Sequence, residues 1–445
     1  MMKICFLGAG STVFAKNVLG DCIRTPELGN FEIALHDIDE KRLKESYTVV
    51  SAVNRKYGSP ATIQMYLDRK ESLKDADYII NAVQIGGYEP CTVADFEIPK
   101  KYGLRQTIAD TLGVGGIFRA LRTIAVLEDF AKDIEEVCPN ALFLNYTNPM
   151  AMLTGYMLNY TKVNIVGLCH SVQVCVPHLF QMLQMSDKLE GATYKIGGIN
   201  HQAWLLEIKD KDGVDLYPEI KKRSKSGNYR LAIYVIMPDL VRHDMMHNFG
   251  CYITESSEHA SEYLPYYIKN RCPELIEEFK IPLDEYPRRC RWQIRLWKLQ
   301  RFKLMFKRKQ KHNKSKEYGS RIIQGAHTNK KYSFGGSMLN DKKTISNLPP
   351  YACIEVPMTV EANGFAAEDF GRIPDEQAAL NRTNINPQEM AIRAAKERRM
   401  DYVYMAVALD PHTSSEMLLE DIIKMCDELY DFHHGDGWMP EYVKA

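Results

Sequence analysis

Short apolar runs alternate with amphipathic segments through the first 170 residues. The runs lie within residues 3–12, 31–37, 75–84, 141–147 and 164–172. The segments between them have the apolar spacing of helices, most clearly from Arg119 to Val137. Repeated strand–helix units predict an α/β fold with a parallel, doubly wound sheet, in which ligands bind outside the carboxyl ends of the strands.

The pattern changes beyond about residue 190. Residues Ala192 to Ile208 alternate as one long strand, which is typical of an antiparallel or mixed sheet. A chain of 445 residues is also too long for one ordinary core. We therefore predict two packed domains, a nucleotide-binding domain over 1–168 and an α+β catalytic or substrate domain over 169–445.

The first apolar run closes in a glycine turn that opens a predicted helix. Gly8, Gly10, Ser11 and Thr12 stand where backbone N–H groups and a helix N-terminus hold a pyrophosphate. Asp37 ends the second strand, where an acid grips the ribose hydroxyls. The G-x-G-x-x-G pattern is incomplete because its third glycine is replaced by valine. The order of strand, turn, helix, strand and acid still predicts a dinucleotide site.

Polar residues collect at the carboxyl ends of the predicted strands. They are Asn81, Gln84, Asn148, Cys169 and His170. Strand ends of a parallel sheet face one crevice, so we assign Asn81, Gln84 and Asn148 to a cofactor site there.

Cys169 and His201 each follow a predicted buried strand. A thiolate and an imidazole aimed into one crevice suit a transition metal with open coordination positions. The alternative is a buried structural cysteine and an ordinary core histidine. Asp110 lies in the glycine-rich stretch 107–116, which is either a ligand-facing loop or a surface turn.

Amino-acid composition limits the kinds of molecule that the protein is expected to bind. Lys and Arg together number 57, as do Asp and Glu, so no global charge favours nucleic acid. Eleven scattered cysteines without a C-x-x-C pair, and no secretory leader at the start, predict a reduced cytoplasmic protein. No apolar run approaches the roughly 20 residues that cross a bilayer, so no membrane partner is expected.

One segment departs from this neutral balance. Residues 288–314 contain twelve Lys and Arg residues, no acid, and four interleaved aromatic residues. Such a segment resembles a nucleic-acid or membrane-surface helix. We favour a solvated helix whose aromatic side chains pack inward beneath the cations, with a subunit contact as a further reading.

Taken together, the motifs resemble the family 4 glycoside hydrolases. The matching segments are Gly8–Thr12, Asp37, Asp110–Gly116, Asn148–Pro149, Gly167–Gln173, Gly198–His201, Thr254–His259, Leu380–Asn386 and Leu409–Thr413. The amino-acid sequences of these segments are most similar to those of the melibiase-type α-galactosidases of that family. Phospho-sugar members carry Asp or Asn immediately after the ligand cysteine, where this chain has His170.

The resemblance implies a Rossmann-like domain of the lactate/malate dehydrogenase superfamily and an enzyme that uses NAD and Mn²⁺. Glycosidases of this kind depart from the two-carboxylate mechanism. Sugar C3 is oxidised transiently, the acidified C2 proton is removed, the glycosidic oxygen is eliminated, water adds at C1 and C3 is reduced again. The family's habit also suggests a homodimer or homotetramer.

The resemblance also implies residue roles. Cys169 and His201 match the metal ligands, and Tyr263 matches the C2 base. The general acid is open, and we place His170 first and Asp110 second, since an imidazolium donates a proton near neutral pH. The predicted substrate is a small α-galactoside such as melibiose. The alternatives are a family α-glucosidase or α-galacturonidase, an NAD-dependent 2-hydroxyacid dehydrogenase, and a nucleotide-sensing or nucleic-acid-binding protein acting through residues 288–314.

Overall fold

A computed structural model describes residues 1–225, 239–362 and 364–444. The strands of these residues join in a single mixed sheet of twelve. They are β1 (Lys3–Leu7), β2 (Phe31–His36), β3 (Ala61–Tyr66), β4 (Tyr78–Asn81), β5 (Leu142–Asn145), β6 (Asn164–Gly167), β7 (Thr193–Ile199), β8 (Gln202–Lys209), β9 (Tyr252–Ile253), β10 (Tyr332–Leu339), β11 (Cys353–Glu361) and β12 (Gly364–Ala367).

Helices connect and cover the strands. In chain order they are α1 (Thr12–Ile23), α2 (Glu40–Lys56), α3 (Arg69–Leu73), α4 (Val93–Lys101), α5 (Gly113–Val137), α6 (Met150–Tyr160), α7 (His170–Met182), α8 (Tyr217–Lys225), α9 (Leu240–Phe249), α10 (Ser257–Tyr263), α11 (Glu274–Glu278), α12 (Glu285–Met305), α13 (Gly319–Thr328), α14 (Asp375–Glu397), α15 (Met400–Leu409), α16 (Pro411–Glu416) and α17 (Leu419–Gly435).

The predicted doubly wound parallel sheet is confirmed. Strands β3, β2, β1, β4, β5 and β6 lie side by side and all pair in parallel. Alternate residues of β1 enter different cores: Ile4 and Phe6 pack with one cluster, and Cys5 and Leu7 with another. Because side chains alternate between the faces of a strand, both faces are covered, as a parallel sheet requires.

Beyond β6 the same sheet becomes antiparallel. Strand β10 pairs with β6 through Ser337 and Gly167, and β11, β7, β8 and β9 continue from it. The predicted α+β character of the second part is confirmed. The predicted boundary between residues 168 and 169 stays a prediction, since one sheet runs across it.

Two local predictions were wrong. The single strand expected over 192–208 is the hairpin of β7 and β8, which turns at Asn200 and His201. Helix α5 begins at Gly113 rather than Arg119, so the glycines form its first turns. Residues Asn381 to Asn386 lie within α14, where Asn381, Asn384 and Ile385 are buried. Of the described helices, none has the length and apolar character needed to span a membrane.

Candidate active site

A cavity of about 300 Å³ opens at the carboxyl ends of β1, β4, β5 and β6. Six predicted site residues line it: Ser11, Gln84, Asp110, Asn148, Cys169 and His170. The other lining residues are Phe14, Ala82, Val83, Arg119, Tyr146, Thr147, Met150, Leu168 and Tyr286. The structure therefore brings together the glycine turn, the glycine-rich stretch and the cysteine, as expected for an α/β sheet.

The glycine turn leaves no room for side chains. Gly8 has a φ of +83°, and a Cβ there would lie 2.7 Å from the carbonyl oxygen of Ala82. A Cβ on Gly10 would lie 2.6 Å from Oδ2 of Asp37. The Gly10 N–H donates to that oxygen at 2.6 Å, so Asp37 stands directly at the turn. This close packing fits a turn whose backbone approaches a pyrophosphate, with the acid beside the ribose.

The side chains of two predicted cofactor residues are buried behind the cavity wall. The Thr12 hydroxyl is buried in a 2.8 Å hydrogen bond with Ser46 of α2. The Asn81 amide is fully buried and donates to Asn145 at 2.9 Å. Their side chains therefore do not line the cavity. Gln84 does line it, and its amide donates to Thr92 at 3.4 Å.

Cys169, His201 and Glu255 form a cluster with metal-binding donors. One ligand atom from each lies within 4.8 Å of the others. Cys169 ends the loop after β6, and His201 sits at the β7–β8 turn with a φ of +63°. Nδ1 of His201 is hydrogen-bonded to the Tyr263 hydroxyl at 2.9 Å, which leaves Nε2 for a metal, 3.7 Å from Glu255.

The electrostatics of the cluster fit a cation. Burial, together with the negative charges of Glu355 and Glu255, raises the pKa of the Cys169 thiol. Burial would also raise the pKa of Glu255, but His201 and His259 lower it below its usual range. A divalent cation at this point would stabilise the thiolate, because metal binding deprotonates a coordinating thiol. The donor set of sulfur, nitrogen and oxygen suits a transition metal.

Tyr263 is fully buried at the end of α10. Burial and the carboxylates of Asp110, Glu262 and Glu255 raise the pKa of its phenol well above the ordinary value. Its hydroxyl contacts the candidate metal ligand His201 directly. The predicted base thus lies one hydrogen bond from the metal cluster.

Asp110 is a buried residue of the cavity wall, so the surface-turn alternative is wrong. Its carboxylate accepts from Thr111 at 2.9 Å and from Asn148 at 3.2 Å. Burial would raise the pKa of Asp110, but the hydrogen bond and charge of His259, and the charges of Arg119 and His201, hold it well below the usual range. Asp110 is therefore an ionised acceptor.

Glu262 positions the stretch that carries Asp110. Its carboxylate accepts from the backbone N–H groups of Thr107, Ile108 and Ala109. These bonds hold Ala109 at a φ of +47°. Burial raises the pKa of Glu262 to about 7, although the backbone bonds oppose that shift. The pattern of residues did not reveal this role, since the acid lies more than 150 positions away from the loop.

His170 is held by a carboxylate that sequence reasoning missed. Its Nε2 lies 2.7 Å from Oε2 of Glu317, and this hydrogen bond raises the pKa of His170 against the opposing effect of burial. The two residues are 147 positions apart, and no local pattern marks Glu317. Arg119 and Tyr286 were also missed. They meet at the cavity wall, where the guanidinium donates to the phenol at 3.4 Å.

Comparison with known proteins agrees with this geometry. Models of the family 4 glycosyl hydrolases and of their C-terminal domain match residues 3–185 and 196–413. An α-galactosidase of Bacillus subtilis is 55% identical, over 99% of this chain and 100% of that protein. An α-galactosidase of Rhizobium meliloti is 32% identical, over 100% of this chain and 90% of that protein.

A solved structure shares the fold. It is a 6-phospho-α-glucosidase from gut microorganisms in complex with NAD and Mn²⁺, 20% identical, with a TM-score of 0.79 over 99% of this chain and 100% of that one. The cavity, the glycine turn and the Cys169–His201 pair thus belong to a chain that is a member of the family 4 glycosyl hydrolases.

Proposed function

We propose that this protein is an α-galactosidase that hydrolyses small α-galactosides of the melibiose type with the help of NAD and Mn²⁺. The observation that carries the proposal is one cavity lined both by Ser11 of the glycine turn and by Cys169, whose thiol forms a cluster with His201 and Glu255. The identity to two α-galactosidases favours galactose over the glucose or galacturonic acid of other family members. A 2-hydroxyacid dehydrogenase does not need a thiolate-containing metal cluster.

The cofactor would lie along the glycine turn. The backbone of Gly8, Gly10, Ser11 and Thr12 would hold its pyrophosphate, and Asp37 its ribose. Gln84 and Asn148 line the cavity, and the buried Asn81 amide is hydrogen-bonded to Asn145 behind them. Cys169 and His201, joined by Glu255, would hold the metal. When bound, NAD supplies a reversible oxidation of a sugar hydroxyl, and the metal supplies a Lewis acid.

Tyr263 is proposed as the base that removes the proton from sugar C2. The hydrogen bond with His201 fixes its hydroxyl at the edge of the cluster. Burial raises the pKa of the phenol, so ionisation depends on nearby positive charge. This coupling makes the base competent only where the cluster carries a cation.

His170 is proposed as the acid that protonates the leaving oxygen. The hydrogen bond to the Glu317 carboxylate raises the pKa of the imidazole and so favours its protonated, proton-donating form. Asp110 is the weaker candidate, because the surrounding positive charges lower its pKa and leave it without a proton to give. It accepts from the Asn148 amide instead, which would orient sugar hydroxyls.

Hydrolysis of nitrophenyl α-galactoside, α-glucoside and α-galacturonide tests the proposal, with NAD, Mn²⁺ and a thiol reductant each added or withheld. We expect release from the galactoside only when all three are present. Unchanged activity in a chelator contradicts the metal assignment. Net formation of NADH without nitrophenol release favours the dehydrogenase instead.

The remaining proposals concern the setting of the enzyme. All eleven cysteines are free thiols, which supports a reducing, cytoplasmic location. The balanced overall charge supports a small-molecule substrate without a nucleic-acid or membrane partner. We also propose a homodimer or homotetramer, for which the basic segment offers a surface.

A further inference from the structure

Three of the four aromatic side chains in the basic segment, Trp292, Phe302 and Phe306, are exposed, which contradicts the inward packing that we predicted. Trp292, Leu299, Phe302 and Phe306 are 59, 74, 68 and 81% exposed. Trp292, Leu299 and Phe306 are spaced seven residues apart, so they lie on one face of the helix. The rings of Phe302 and Phe306 stack at 6.5 Å. These four side chains form the outer stripe of α12.

Three arginines fix the helix to the rest of the chain. Arg289 pairs with Glu258 at 2.9 Å, Arg291 donates to Tyr88 at 3.2 Å, and Arg301 pairs with Glu45 at 2.7 Å. These contacts are spread over the length of the helix, so its orientation is set. The outer stripe cannot turn inward without breaking them.

Four large apolar side chains in one exposed row are unusual on a monomer. Removing large apolar side chains from water is favourable, and contiguous exposed patches of this kind mark interaction sites. Scattered single apolar residues would need no such explanation. The stripe therefore indicates a surface that another molecule covers.

Positively charged side chains around the stripe favour a partner with a negatively charged surface. Arg295, Lys298, Lys303 and Lys307 flank it and form no ion pair with any carboxylate in the described parts of the chain. The whole chain is neutral and residues 288–314 contain twelve cations and no acid, so the remainder of the chain has twelve more acids than bases. A second copy of this chain thus presents the complementary charge, whereas two α12 helices would repel each other.

We propose that the outer stripe of α12 docks onto an acidic surface of a second copy of this chain. In a twofold dimer this contact is made twice, once in each direction. The helix is only about 30 Å long and its face is smaller than the roughly 800 Å² that each partner buries in a stable complex. Neighbouring residues must therefore enlarge the contact. This proposal assigns a contact surface to the proposed oligomer, and it does not depend on which reaction the protein catalyses.

Sedimentation velocity of the full chain over a range of concentrations tests it. Leu299→Glu and Phe302→Glu place charges in the stripe, and Val214→Glu is the matched control at a 59% exposed apolar residue outside α12. We expect the wild type and the control to assemble. Each stripe substitution should raise the dissociation constant by about 30-fold, as for a central interface residue. Leu299→Ala and Phe302→Ala repeat the test without an added charge.

Salt and charge reversal distinguish the kinds of partner. Added salt, or Arg295→Glu combined with Lys298→Glu, should weaken assembly. If the stripe variants assemble like the wild type, the outer stripe is not the contact surface, although the protein still forms an oligomer. A wild type that stays monomeric contradicts both the docking surface and the oligomer, and binding of phosphatidylserine vesicles or duplex DNA would not change that conclusion. Assembly that becomes stronger with added salt contradicts docking onto an acidic surface. Galactosidase activity measured on the same samples keeps failure of the proposed function separate from these outcomes.

Discussion

Replacing Gly8 with alanine should damage both stability and NAD binding, and Gly58 provides a matched control. The two glycines have nearly the same backbone angle, with φ of +83° and +87°. A Cβ at Gly58 would meet nothing within 4 Å, whereas at Gly8 it would lie 2.7, 2.8 and 2.9 Å from backbone atoms of Ala82 and Val83. Comparing Gly8→Ala with Gly58→Ala therefore separates the free-energy cost of the left-handed backbone conformation from the cost of the steric contact with Ala82 and Val83.

The magnitudes follow from these two costs. A left-handed conformation costs alanine about 1–2 kcal/mol, and the less flexible unfolded chain returns about 0.4–1 kcal/mol. Gly58→Ala should therefore lower the free energy of unfolding by about 1 kcal/mol. Gly8→Ala adds an overpacking cost of about 1–3 kcal/mol, because backbone atoms cannot rotate away. Its total loss should be about 2–4 kcal/mol.

Urea unfolding measures the stability difference, and calorimetric titration measures NAD binding. Moving the turn away from β4 should raise the NAD dissociation constant by about tenfold or more, at 1.4 kcal/mol per tenfold. Gly58→Ala should leave NAD binding unchanged. If both variants lose the same stability and bind NAD equally well, the close approach of the turn to β4 has no role in cofactor binding and the reasoning fails.

Three further substitutions address the chemistry. Cys169→Ser should weaken Mn²⁺ binding, measured by titration calorimetry, by about 10-fold or more while the circular dichroism spectrum is kept; equal affinity would refute the ligand assignment. Tyr263→Phe should keep Mn²⁺ binding but abolish exchange of a deuterium label at sugar C2 with water, and continued exchange would exclude it as the base. Glu317 raises the pKa of His170, so Glu317→Gln should lower that pKa and move the loss of kcat/KM at high pH to lower pH. An unmoved basic limb would exclude His170 as the acid.

Local patterns were sufficient for the parallel half of the sheet and for the glycine turn. Apolar runs and turn residues act over a few positions, so β1, β2 and the helix between them follow from residues 3–37 alone. The hairpin turn at Asn200 was hidden because the alternation of apolar and polar residues continues through it. The start of α5 was hidden because glycines at 113–116 are ordinarily read as a loop.

Long-range contacts account for the parts of the site that sequence reasoning did not find. Glu317 and Glu262 reach their partners only after the sheet has assembled, and no local pattern distinguishes them from surface acids. The outer stripe of α12 is a different case. The seven-residue spacing of Trp292, Leu299 and Phe306 is visible in the sequence, but a second apolar row, including Trp297 and Leu304, competes for the inner face. Only the fold shows which row faces the protein.

The position of the site follows from the point where the sheet changes direction. Strand β6 pairs in parallel with β5 and antiparallel with β10, and Cys169 leaves the sheet immediately after β6. His201 arrives from the hairpin beyond β11, and the buried carboxylate of Glu355 on β11 lies opposite Gly198 of that hairpin. A fragment ending at residue 168 would lack both proposed metal ligands and would leave β6 as an edge strand. One continuous sheet therefore brings the glycine turn and the Cys169–His201–Glu255 cluster to the same region of the molecule, which the proposed reaction requires.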